Sequence, residues 1–328
     1  MAQALSQDEM LALVDRLADG EWQSGEALAA SFGISRAALA KRIERLKDWQ
    51  LVIEARQGLG YRLATPIERL DRDALQKALG KALRVDVQAV LDSTSSRIVE
   101  TSSQADPQAL IAEFQNAGRG RRGRQWLTPF GSQLAVSMAW SFESMPRQLT
   151  TLPLAVGVAC ARVVRSCGIT DVGLKWPNDI LVDGRKLGGI LLEHRGESGS
   201  ACRVIIGVGI NVSLQVEQAT SVDQPWASLN QLLASRGLPA VSRNTLAVRL
   251  LRELVDLLSA FAQSGFAPLL GEWNALDLSR GRIVRVFQNE QEFDAIAHGV
   301  DADGALLVEV DGQRQALHSG EVRLRVLP

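Results

Sequence analysis

The chain has 328 residues, of which 46% are hydrophobic and 22% charged, with 36 Lys and Arg against 37 Asp and Glu and a formal net charge of -1. This composition is typical of a globular protein of two or three domains and excludes a wholly disordered, collagen-like or coiled-coil chain. It also excludes a uniformly basic surface, so any nucleic-acid site must be local.

Cysteine and histidine are scarce, with three residues of each. Three widely spaced cysteines predict no disulfide framework, and the scarcity of both residue types argues against a structural zinc site. The amino terminus carries acidic residues before any basic one, unlike a signal peptide. The longest apolar stretch, residues 152–164, contains Arg162 and is too short to span a bilayer. We therefore expect a cytoplasmic protein with no membrane segment.

The first 66 residues have the pattern of a winged helix-turn-helix. The spacing of apolar residues predicts helices over residues 7–19, 24–32 and 35–49. Gly33 suits the left-handed exit from the second helix, and Ser35 is a good amino-terminal cap for the third. Residues 51–63 alternate loosely and turn at residues 58–60, which predicts a two-stranded wing.

The third predicted helix is locally basic. Its run of Arg36, Lys41, Arg42, Arg45 and Lys47 contains a single acid, Glu44. Such a helix can meet DNA phosphates and base edges, so the candidate DNA contacts are Ser35, Arg36, Lys41, Arg42 and Arg45. The alternative is a solvated helix face in a protein-interaction domain, but the order of turn, cap, basic helix and wing favours DNA. Because one such module binds weakly, we expect a dimer on a two-part operator.

The rest of the chain divides into two regions. A linker or connecting helix covers residues 65–83, and short apolar runs then alternate with helical patterns, which indicates a mixed α/β domain. Its predicted strands are residues 85–92, 110–113, 133–139, 173–175, 180–182, 189–194 and 203–211, and its predicted helices are 153–167 and 245–264. The tail has predicted strands at 283–287, 293–299, 306–310, 313–318 and 322–326, typical of a small antiparallel barrel. We place the domains at residues 1–66, 67–274 and 275–328.

Residues 118–124 contain four arginines and three glycines. Glycine lets backbone N–H groups approach an anion, and arginine offers planar forks to phosphate or carboxylate oxygens. The run is no Walker A loop, because no Gly-Lys-Ser/Thr follows, and its spacing does not fit a dinucleotide fingerprint. An RNA-binding Arg-Gly tract would be repeated in disordered sequence, whereas this run is single and flanked by apolar segments. We predict a mobile loop that closes over a phosphate-bearing ligand.

Two further segments are candidates for a ligand site. Lys175-Trp-Pro-Asn-Asp179 presents polar groups at a turn, where Asn178 and Asp179 could hold Mg²⁺ or ligand hydroxyls. A plain hairpin turning at residues 183–184 is the alternative, but it leaves Lys175 and Asp179 unexplained. Gly207-Val-Gly-Ile-Asn211 ends an apolar strand, where glycine allows close approach of ligand or backbone.

The joint order of these motifs resembles the bifunctional biotin protein ligases that are also biotin operon repressors. The resemblance covers nearly the whole chain and rests on residues 35–41, 92–94, 115–124, 175–179, 185–190 and 207–211. It implies an α+β fold with three parts. These are an amino-terminal winged helix-turn-helix, a central mixed α/β ligase domain like that of class II synthetases, and a small carboxy-terminal SH3-like β-barrel.

The resemblance also implies an activity. Biotin and MgATP give biotinyl-5′-AMP, and biotin then passes to a lysine of the biotin carboxyl carrier protein of acetyl-CoA carboxylase. Joining a carboxylate to a triphosphate requires Arg, Lys and Mg²⁺ to neutralise charge, and it needs no protein nucleophile. The adenylate-bound homodimer would repress biotin biosynthesis genes at their operator DNA.

Roles for single residues follow from the same resemblance. The catalytic residues would be Lys186, Arg121 and Arg124. The biotin-binding residues would be Ser93, Thr94, Ser95, Gln115, Arg119, Gly120, Arg121, Lys186 and Gly188. The ATP-binding residues would be Arg121, Arg124, Trp126, Lys175, Asn178, Asp179 and Asn211, with Asp179 as the candidate ligand of Mg²⁺. Ser95 stands where the family has Asn, so a hydroxyl replaces an amide at that contact.

Three alternatives remain open at this stage. An enzyme of the same fold could activate lipoate or octanoate, although Gln115 and the two basic motifs match the biotin group. A non-enzymatic, ligand-sensing repressor would not need Arg121, Arg124 and Lys186. A ligase with lost or altered DNA binding would not need the basic third helix.

Overall fold

The computed structural model describes residues 6–101, 107–146, 148–195, 201–288, 291–318 and 322–326. Its helices are α1 (Gln7–Leu17), α2 (Gly25–Ser31), α3 (Arg36–Leu46), α4 (Arg72–Leu79), α5 (Thr94–Thr101), α6 (Leu152–Ser166), α7 (Leu229–Ser235), α8 (Arg243–Ser264) and α9 (Leu270–Leu276). Its strands are β1 (Ile53–Arg56), β2 (Gly60–Leu63), β3 (Arg84–Leu91), β4 (Gln108–Gln115), β5 (Gln133–Phe142), β6 (Gly173–Lys175), β7 (Asp179–Val182), β8 (Arg185–Arg195), β9 (Cys202–Asn211), β10 (Ile283–Gln288), β11 (Gln291–Val300), β12 (Leu306–Val310), β13 (Gln313–Leu317) and β14 (Val322–Val326).

The amino-terminal region is three helices followed by a β-hairpin, as the sequence predicts. Ser6, Ser24 and Ser35 cap α1, α2 and α3 by accepting a backbone N–H three residues ahead. Gly33 has φ 63°, the left-handed geometry expected between α2 and α3. Strands β1 and β2 pair antiparallel and form the wing. The helix-turn-helix prediction is therefore confirmed.

A seven-stranded mixed sheet forms the middle of the molecule, in the order β3-β4-β5-β9-β8-β7-β6. Strands β3 and β4 run parallel, and the other neighbours run antiparallel. Helices α6 and α8 bury apolar faces that belong to the same hydrophobic core as this sheet. The antiparallel pairing of β5 with β9 brings the first residue of β5 opposite the last residue of β9, and this register builds part of the site below.

The carboxy-terminal region is a five-stranded antiparallel sheet in the order β13-β12-β11-β10-β14. It contacts the central region through the Trp176 indole, whose Nε1–H donates to the Gly304 carbonyl at 3.1 Å. The predicted three-part α+β architecture is confirmed. The proposed domain boundaries remain a prediction.

Helices α5, α7 and α9 were not among the predicted elements, and β8 begins earlier than predicted. The segment that forms α5 is rich in Ser and Thr, which have modest helix propensity, so tertiary packing decides its conformation. Strand β8 starts at Arg185 because the turn before it leads directly into pairing with β7. Lys186 therefore lies on β8, just before the predicted strand of residues 189–194.

Among the described residues, Leu149–Ser166 has the length and hydropathy of a membrane span, and Arg243–Ser264 with Ala267–Leu276 would qualify only as a pair bent by 119°. In the first segment 72% of the window is buried inside the protein. A buried core helix meets the same test, so its apolar character is explained by packing.

Candidate active site

A cleft opens at the middle of the seven-stranded sheet, beneath the loop of residues 118–124. Its free space is about 1180 Å³ with the mouth included. The predicted site residues that line it are Ser93, Thr94, Ser95, Gln115, Arg119, Gly120, Arg121, Arg124, Trp126, Lys175, Asn178, Asp179 and Lys186. The fold thus brings together residues that are scattered over nearly 100 positions of sequence.

One end of the cleft is lined by buried hydroxyl and amide groups. Gln115 accepts the Thr94 backbone N–H at 2.7 Å through Oε1 and donates through Nε2 to Thr128 Oγ1 at 2.8 Å. The Gln115 amide is therefore fixed by the protein itself. It holds the turn before α5 in place, so that the neighbouring hydroxyls can face a ligand.

Ser137 on β5 joins the other hydroxyls of this end. Its Oγ lies 3.0 Å from Ser95 Oγ and donates to Thr94 Oγ1 at 2.8 Å. Gly207 stands beside this group, because a Cβ there would lie 3.0 Å from Ser95 Oγ. Ser95 is thus accommodated by a partner on the sheet. Sequence reasoning missed Ser137, whose position opposite α5 is visible only in the fold.

The centre of the cleft holds a carboxylate between two lysines. Asp179 Oδ1 lies 2.7 Å from Lys186 Nζ, and its Oδ2 lies 3.3 Å from Lys175 Nζ. Burial acts to raise the pKa of Asp179, but the charges of Lys186 and Lys175 outweigh it and hold that pKa below its usual value. The cluster carries an excess of positive charge, which suits an anionic ligand.

The arginines of the loop are engaged by groups around the cleft. Arg119 forms a two-pronged ion pair with Glu193 on β8, with Nη2 2.6 Å from Oε1 and Nη1 3.3 Å from Oε2. Arg121 Nη1 lies 3.4 Å from Asn178 Oδ1. Burial and the charge of Arg122 lower the pKa of Arg121, against the opposing effect of Asp179. The loop is thus held over the cleft by contacts to β8 and to the turn between β6 and β7.

The Trp126 indole lies close to Gly189 of β8 and Gly209 of β9. A Cβ on Gly209 would come within 2.4 Å of the indole Cε2, and one on Gly189 within 3.4 Å of Cζ3. The Lys186 ammonium lies 5.6 Å from the centre of the indole ring. Gly209 of the 207–211 motif therefore gives room to the Trp126 side chain, where the sequence predicts close approach of ligand or backbone.

Two predicted residues lie elsewhere. Gly188 sits within the sheet, where a Cβ would be 2.7 Å from the Gly209 carbonyl oxygen, and it is Gly189 that lines the cleft. Asn211 lines an adjoining cleft of about 1430 Å³, together with Gln133, Trp226 and Trp126. The glycine therefore allows close strand packing, and its expected contact with biotin remains a prediction.

The chemistry of the donors tests whether Mg²⁺ fits. Within the part of the chain that the structure describes, no group of three or more His, Cys, Asp or Glu side chains is arranged to hold a metal ion. The carboxylate of Asp179 is already paired with two lysines. Mg²⁺ is usually held by one or two carboxylates together with substrate phosphates, so these residues do not form a metal site of their own.

The basic helix α3 divides its cations between two faces. Ser35, Arg36, Lys41 and Arg45 are exposed. Arg42 turns inward, with its side chain 11% exposed, where it pairs with Glu9 at 2.6 Å and lies over the Phe32 ring. In this arrangement the Arg42 side chain holds α3 against α1, and the DNA contact expected of it remains a prediction.

Comparison with known proteins places the chain in a family. The biotin/lipoate A/B protein ligase family matches residues 87–211, an HTH domain matches residues 10–62, and the biotin protein ligase C-terminal domain matches residues 281–325. The bifunctional ligase/repressor BirA of Escherichia coli is 40% identical over 316 residues, which cover 96% of this chain and 97% of that protein. The chain belongs to the family of bifunctional biotin ligase/repressors.

Two further relatives agree with this assignment. The biotin–[acetyl-CoA-carboxylase] ligase of Mycobacterium tuberculosis is 34% identical, covering 80% of this chain and 97% of that protein. The solved biotin protein ligase of Aquifex aeolicus, in complex with biotin and ATP, superposes with a TM-score of 0.63 at 26% identity, covering 74% of this chain and 99% of that one. The predicted family and the predicted enzyme class, a biotin–protein ligase with a repressor domain, are confirmed.

Proposed function

We propose that this protein joins biotin to ATP, forming biotinyl-5′-AMP and pyrophosphate, and then passes biotin to one lysine of the biotin carboxyl carrier protein of acetyl-CoA carboxylase. The observation that carries the proposal is the pairing of Lys186 and Lys175 with Asp179 beside a pocket of buried hydroxyls. Hydroxyl and amide groups suit the N–H and carbonyl groups of a ureido ring, and the lysines suit a carboxylate next to a phosphate.

Lys186 has the central role in the proposed first step. An oxygen of the biotin carboxylate bonds to the α-phosphorus while the bond from phosphorus to pyrophosphate breaks. Before ligands enter, Asp179 offsets the charge of the Lys186 ammonium inside the cleft. When two anions enter, the ammonium lies between them and stabilises the charge that develops in the transition state.

The loop of residues 118–124 would supply further positive charge and would cover the cleft. Arg121 and Arg124 line the same cleft as Lys186 and would approach the phosphates. A closed loop protects the mixed anhydride from water until the acceptor arrives. In the second step the acceptor amine bonds to the biotinyl carbonyl carbon, and the bond to AMP breaks.

ATP would bring Mg²⁺ on its own phosphate oxygens, where the ion neutralises charge and orients the leaving group. Asp179 remains the candidate carboxylate ligand of Mg²⁺ among the predicted site residues. However, Lys175 and Lys186 would compete with the ion for this carboxylate. We therefore propose that phosphate oxygens and water supply most of the ligands.

The amino-terminal domain would make the same chain a repressor. The exposed Arg36, Lys41 and Arg45 lie on α3, the helix that enters the major groove in this class of domain. We propose that the adenylate-loaded protein forms a homodimer on the operator of biotin biosynthesis genes in the cytoplasm. A dimer would double the number of phosphate contacts and set the spacing of the two half-sites.

The enzymatic proposal is tested by product analysis. The protein is incubated with ATP, Mg²⁺ and either biotin, lipoate or octanoate, and the acyl adenylate is identified by mass spectrometry. Adenylate from biotin alone is the expected result. Adenylate formed only from lipoate or octanoate would show that the substrate is that acid and not biotin. If the folded protein forms no adenylate from any of the three acids, the alternative of a ligand-sensing repressor is favoured.

The repressor proposal is tested separately. Sedimentation and binding to DNA from upstream of biotin biosynthesis genes are measured with and without biotinyl-5′-AMP. We expect the adenylate to promote both self-association and operator binding. If neither quantity changes, the chain is a ligase without ligand-controlled repression.

A further inference from the structure

Residues 67–71 connect the amino-terminal domain to α4 of the ligase domain without forming a helix or strand, and we call this segment the strap. Its N–H groups at positions 67, 70 and 71 donate to the Ala18 carbonyl, Glu113 Oε1 and Asn244 Oδ1, at 2.8, 2.7 and 2.8 Å. Its carbonyls at positions 68 and 69 accept from Arg243 Nη2 and Asn244 Nδ2, at 2.5 and 2.9 Å. A flexible linker leaves such groups to water, so the strap is a fixed part of the fold.

A buried ion pair lies behind the strap. Glu113 on β4 and Arg243 at the start of α8 have side chains only 1% and 4% exposed, and Glu113 Oε2 lies 2.7 Å from Arg243 Nη1. The other carboxylate oxygen accepts the Leu70 N–H, and the other guanidinium nitrogen donates to the Glu68 carbonyl. Charges at this depth need both a counter-charge and hydrogen bonds, so the strap is one of the partners that keep this pair in place.

Asn244, the next residue of α8, holds the strap from the more exposed side. Besides its two bonds to the strap backbone, its Nδ2 donates to Glu68 Oε1 at 2.9 Å. The half-buried Asn244 side chain therefore makes three hydrogen bonds to a segment of five residues. Two elements that are far apart in sequence, β4 and α8, thus fix the same short stretch of chain.

The strap and its surroundings also contact the amino-terminal domain. Arg69 forms a two-pronged ion pair with Asp15 of α1, with Nη1 2.9 and 3.0 Å from the two carboxylate oxygens. Trp49, just beyond α3, stacks on Phe130 of the ligase domain with 5.2 Å between ring centres, and its carbonyl accepts the Phe130 N–H at 3.0 Å. The orientation of α3 on the ligase domain is therefore set by contacts within the protein.

We propose that Glu113, Arg243 and Asn244 are positioning residues for operator recognition, because by fixing the strap they hold α3 in one orientation on the ligase domain. In a dimer, two recognition helices held in this way fit half-sites at one spacing and lose little further conformational freedom on binding. Helices on loose straps would sample many orientations, which lowers the effective concentration of the second helix at its half-site. Among the described residues, those that line the two clefts do not include these three, so adenylation does not depend on them.

The first test measures the orientation directly. Nitroxide labels are attached to Glu26→Cys on α2 and Ser259→Cys on α8, which are exposed positions, in a Cys167→Ser background whose other two cysteines are buried. Double electron–electron resonance on this protein without biotin or ATP gives the distribution of distances between the labels. The variant is Asn244→Ala. Asn230→Ala is the matched control, because the half-buried Asn230 also makes three hydrogen bonds, all within the ligase domain.

A second variant removes the buried pair. Glu113→Gln with Arg243→Met leaves neither charge without its partner and keeps an acceptor for the Leu70 N–H. The combined variant adds Asn244→Ala, so that both sets of contacts with the strap are weakened together.

We expect one narrow distance peak for wild type and for Asn230→Ala, a broader peak for Asn244→Ala, and a peak at least about twice as wide for the combined variant. A loss of stability alone leaves the folded molecules with a narrow peak, so the width separates positioning from a merely structural role. A folded combined variant with a peak as narrow as wild type would overturn the proposal. If the combined variant does not fold, the comparison of Asn244→Ala with Asn230→Ala decides in the same way.

Operator binding gives the second readout, and this part rests on the proposed repressor function. The operator fragment that adenylate-loaded wild type binds is compared with one in which two base pairs are inserted between the half-sites, which turns one half-site by about 70°. The insertion should weaken binding by wild type about 100-fold and by Asn244→Ala only about fivefold, with the rate of adenylation unchanged. Equal sensitivity of the two proteins to the insertion would refute the positioning role. Wild type that binds no operator would refute the proposed repression itself, and the distance distributions would still decide whether the strap is fixed by these residues.

Discussion

Helix α3 and the loop of residues 118–124 are both basic segments, and their charged side chains have different surroundings. On α3, Arg36, Lys41 and Arg45 are exposed to solvent. In the loop, Arg119 pairs with Glu193, and Arg121 contacts Asn178 beside Asp179. Both segments look alike as runs of positive charge. On α3 these three cations face solvent, whereas two of the four loop arginines, Arg119 and Arg121, contact protein acceptors.

The difference follows from solvation. An exposed cation stays hydrated, so it needs no partner in the protein before it binds a phosphate, and leaving it unpaired costs little free energy. Lys186 and Asp179 are only 17% and 14% exposed, and a charge at that depth needs a counter-charge or a hydrogen bond. A helix that binds DNA can therefore leave its cations in water, whereas a cleft that binds small anions pairs them until the ligand enters.

The largest expected effect is on Lys186. Lys186→Gln should slow formation of biotinyl-5′-AMP at least about 100-fold, because it removes a cation from the transition state. Rapid-quench assays under single-turnover conditions measure this rate. The matched control is Lys47→Gln, which removes an exposed lysine just beyond α3 and should leave the rate unchanged. Near-normal adenylation by Lys186→Gln would refute its catalytic assignment.

The next largest effect is expected on operator binding, from a substitution on the exposed face of α3. Arg45→Ala should weaken operator binding and reduce the slope of log affinity against log salt by about 1, as for one lost phosphate contact. Anisotropy titrations at several salt concentrations, with biotinyl-5′-AMP present, measure both quantities.

Arg42→Met is the matched control for Arg45→Ala. It breaks the contact with Glu9 and should lower the thermal midpoint by about 2–4 °C, while the salt slope of the folded protein stays the same. If Arg42→Met lowers the salt slope and leaves the midpoint unchanged, the inward orientation of Arg42 does not persist when DNA is bound.

A smaller effect is expected at the loop. Glu193→Gln removes the charge that pairs with Arg119, so the loop should open more often and biotinyl-5′-AMP should dissociate about two to five times faster. Dilution into excess unlabelled biotin and ATP measures this rate. Glu292→Gln breaks a comparable exposed pair with Arg285 on the carboxy-terminal sheet and should have no effect. Equal dissociation rates in the two variants would show that the pair does not hold the loop.

The smallest effect is a pH dependence. The folded pKa of Asp179 is lowered, so its ion pairs stabilise the fold above the unfolded pKa of about 3.9, and this contribution is lost as pH falls through the folded pKa. The difference in thermal midpoint between wild type and Asp179→Asn should then be constant from about pH 5 to 8 and shrink below about pH 4. A difference that already changes near pH 6 would mean that the lysines do not control this carboxyl group.

Much of the architecture could be predicted from local patterns. The strand Gly173–Lys175 was predicted with its observed ends, and the tail strands lie within two residues of their predicted ends. The inward orientation of Arg42 was also encoded, because residues 39, 42, 43 and 46 share one helical face and three of them are apolar. The predicted DNA contact at residue 42 was based on the positive charge of Arg42 and not on this apolar pattern.

Other parts of the site had no local signal. Helix α5 has a Ser- and Thr-rich sequence whose conformation depends on packing against β4, β5 and β9. Gln133 is an ordinary polar residue at the start of a strand. Only its register opposite Asn211, 78 positions further along the chain, lets it hydrogen-bond to both Trp126 and Asn211. Contacts between residues so far apart in sequence depend on the order of strands in the sheet. A short stretch of sequence carries no information about that order.

Local sequence alone was enough to predict most of the helices and strands, the Gly-Arg loop and the types of charged residue available for chemistry. The reason is that helix caps, strand alternation and glycine turns act over a few neighbouring residues. The tertiary structure alone decided which charges meet, from the Asp179 cluster and the Arg119–Glu193 pair to the Trp126–Gln133–Asn211 chain. The physical reason is that burial removes water from these groups, and each must then find a partner that only the fold can bring within reach.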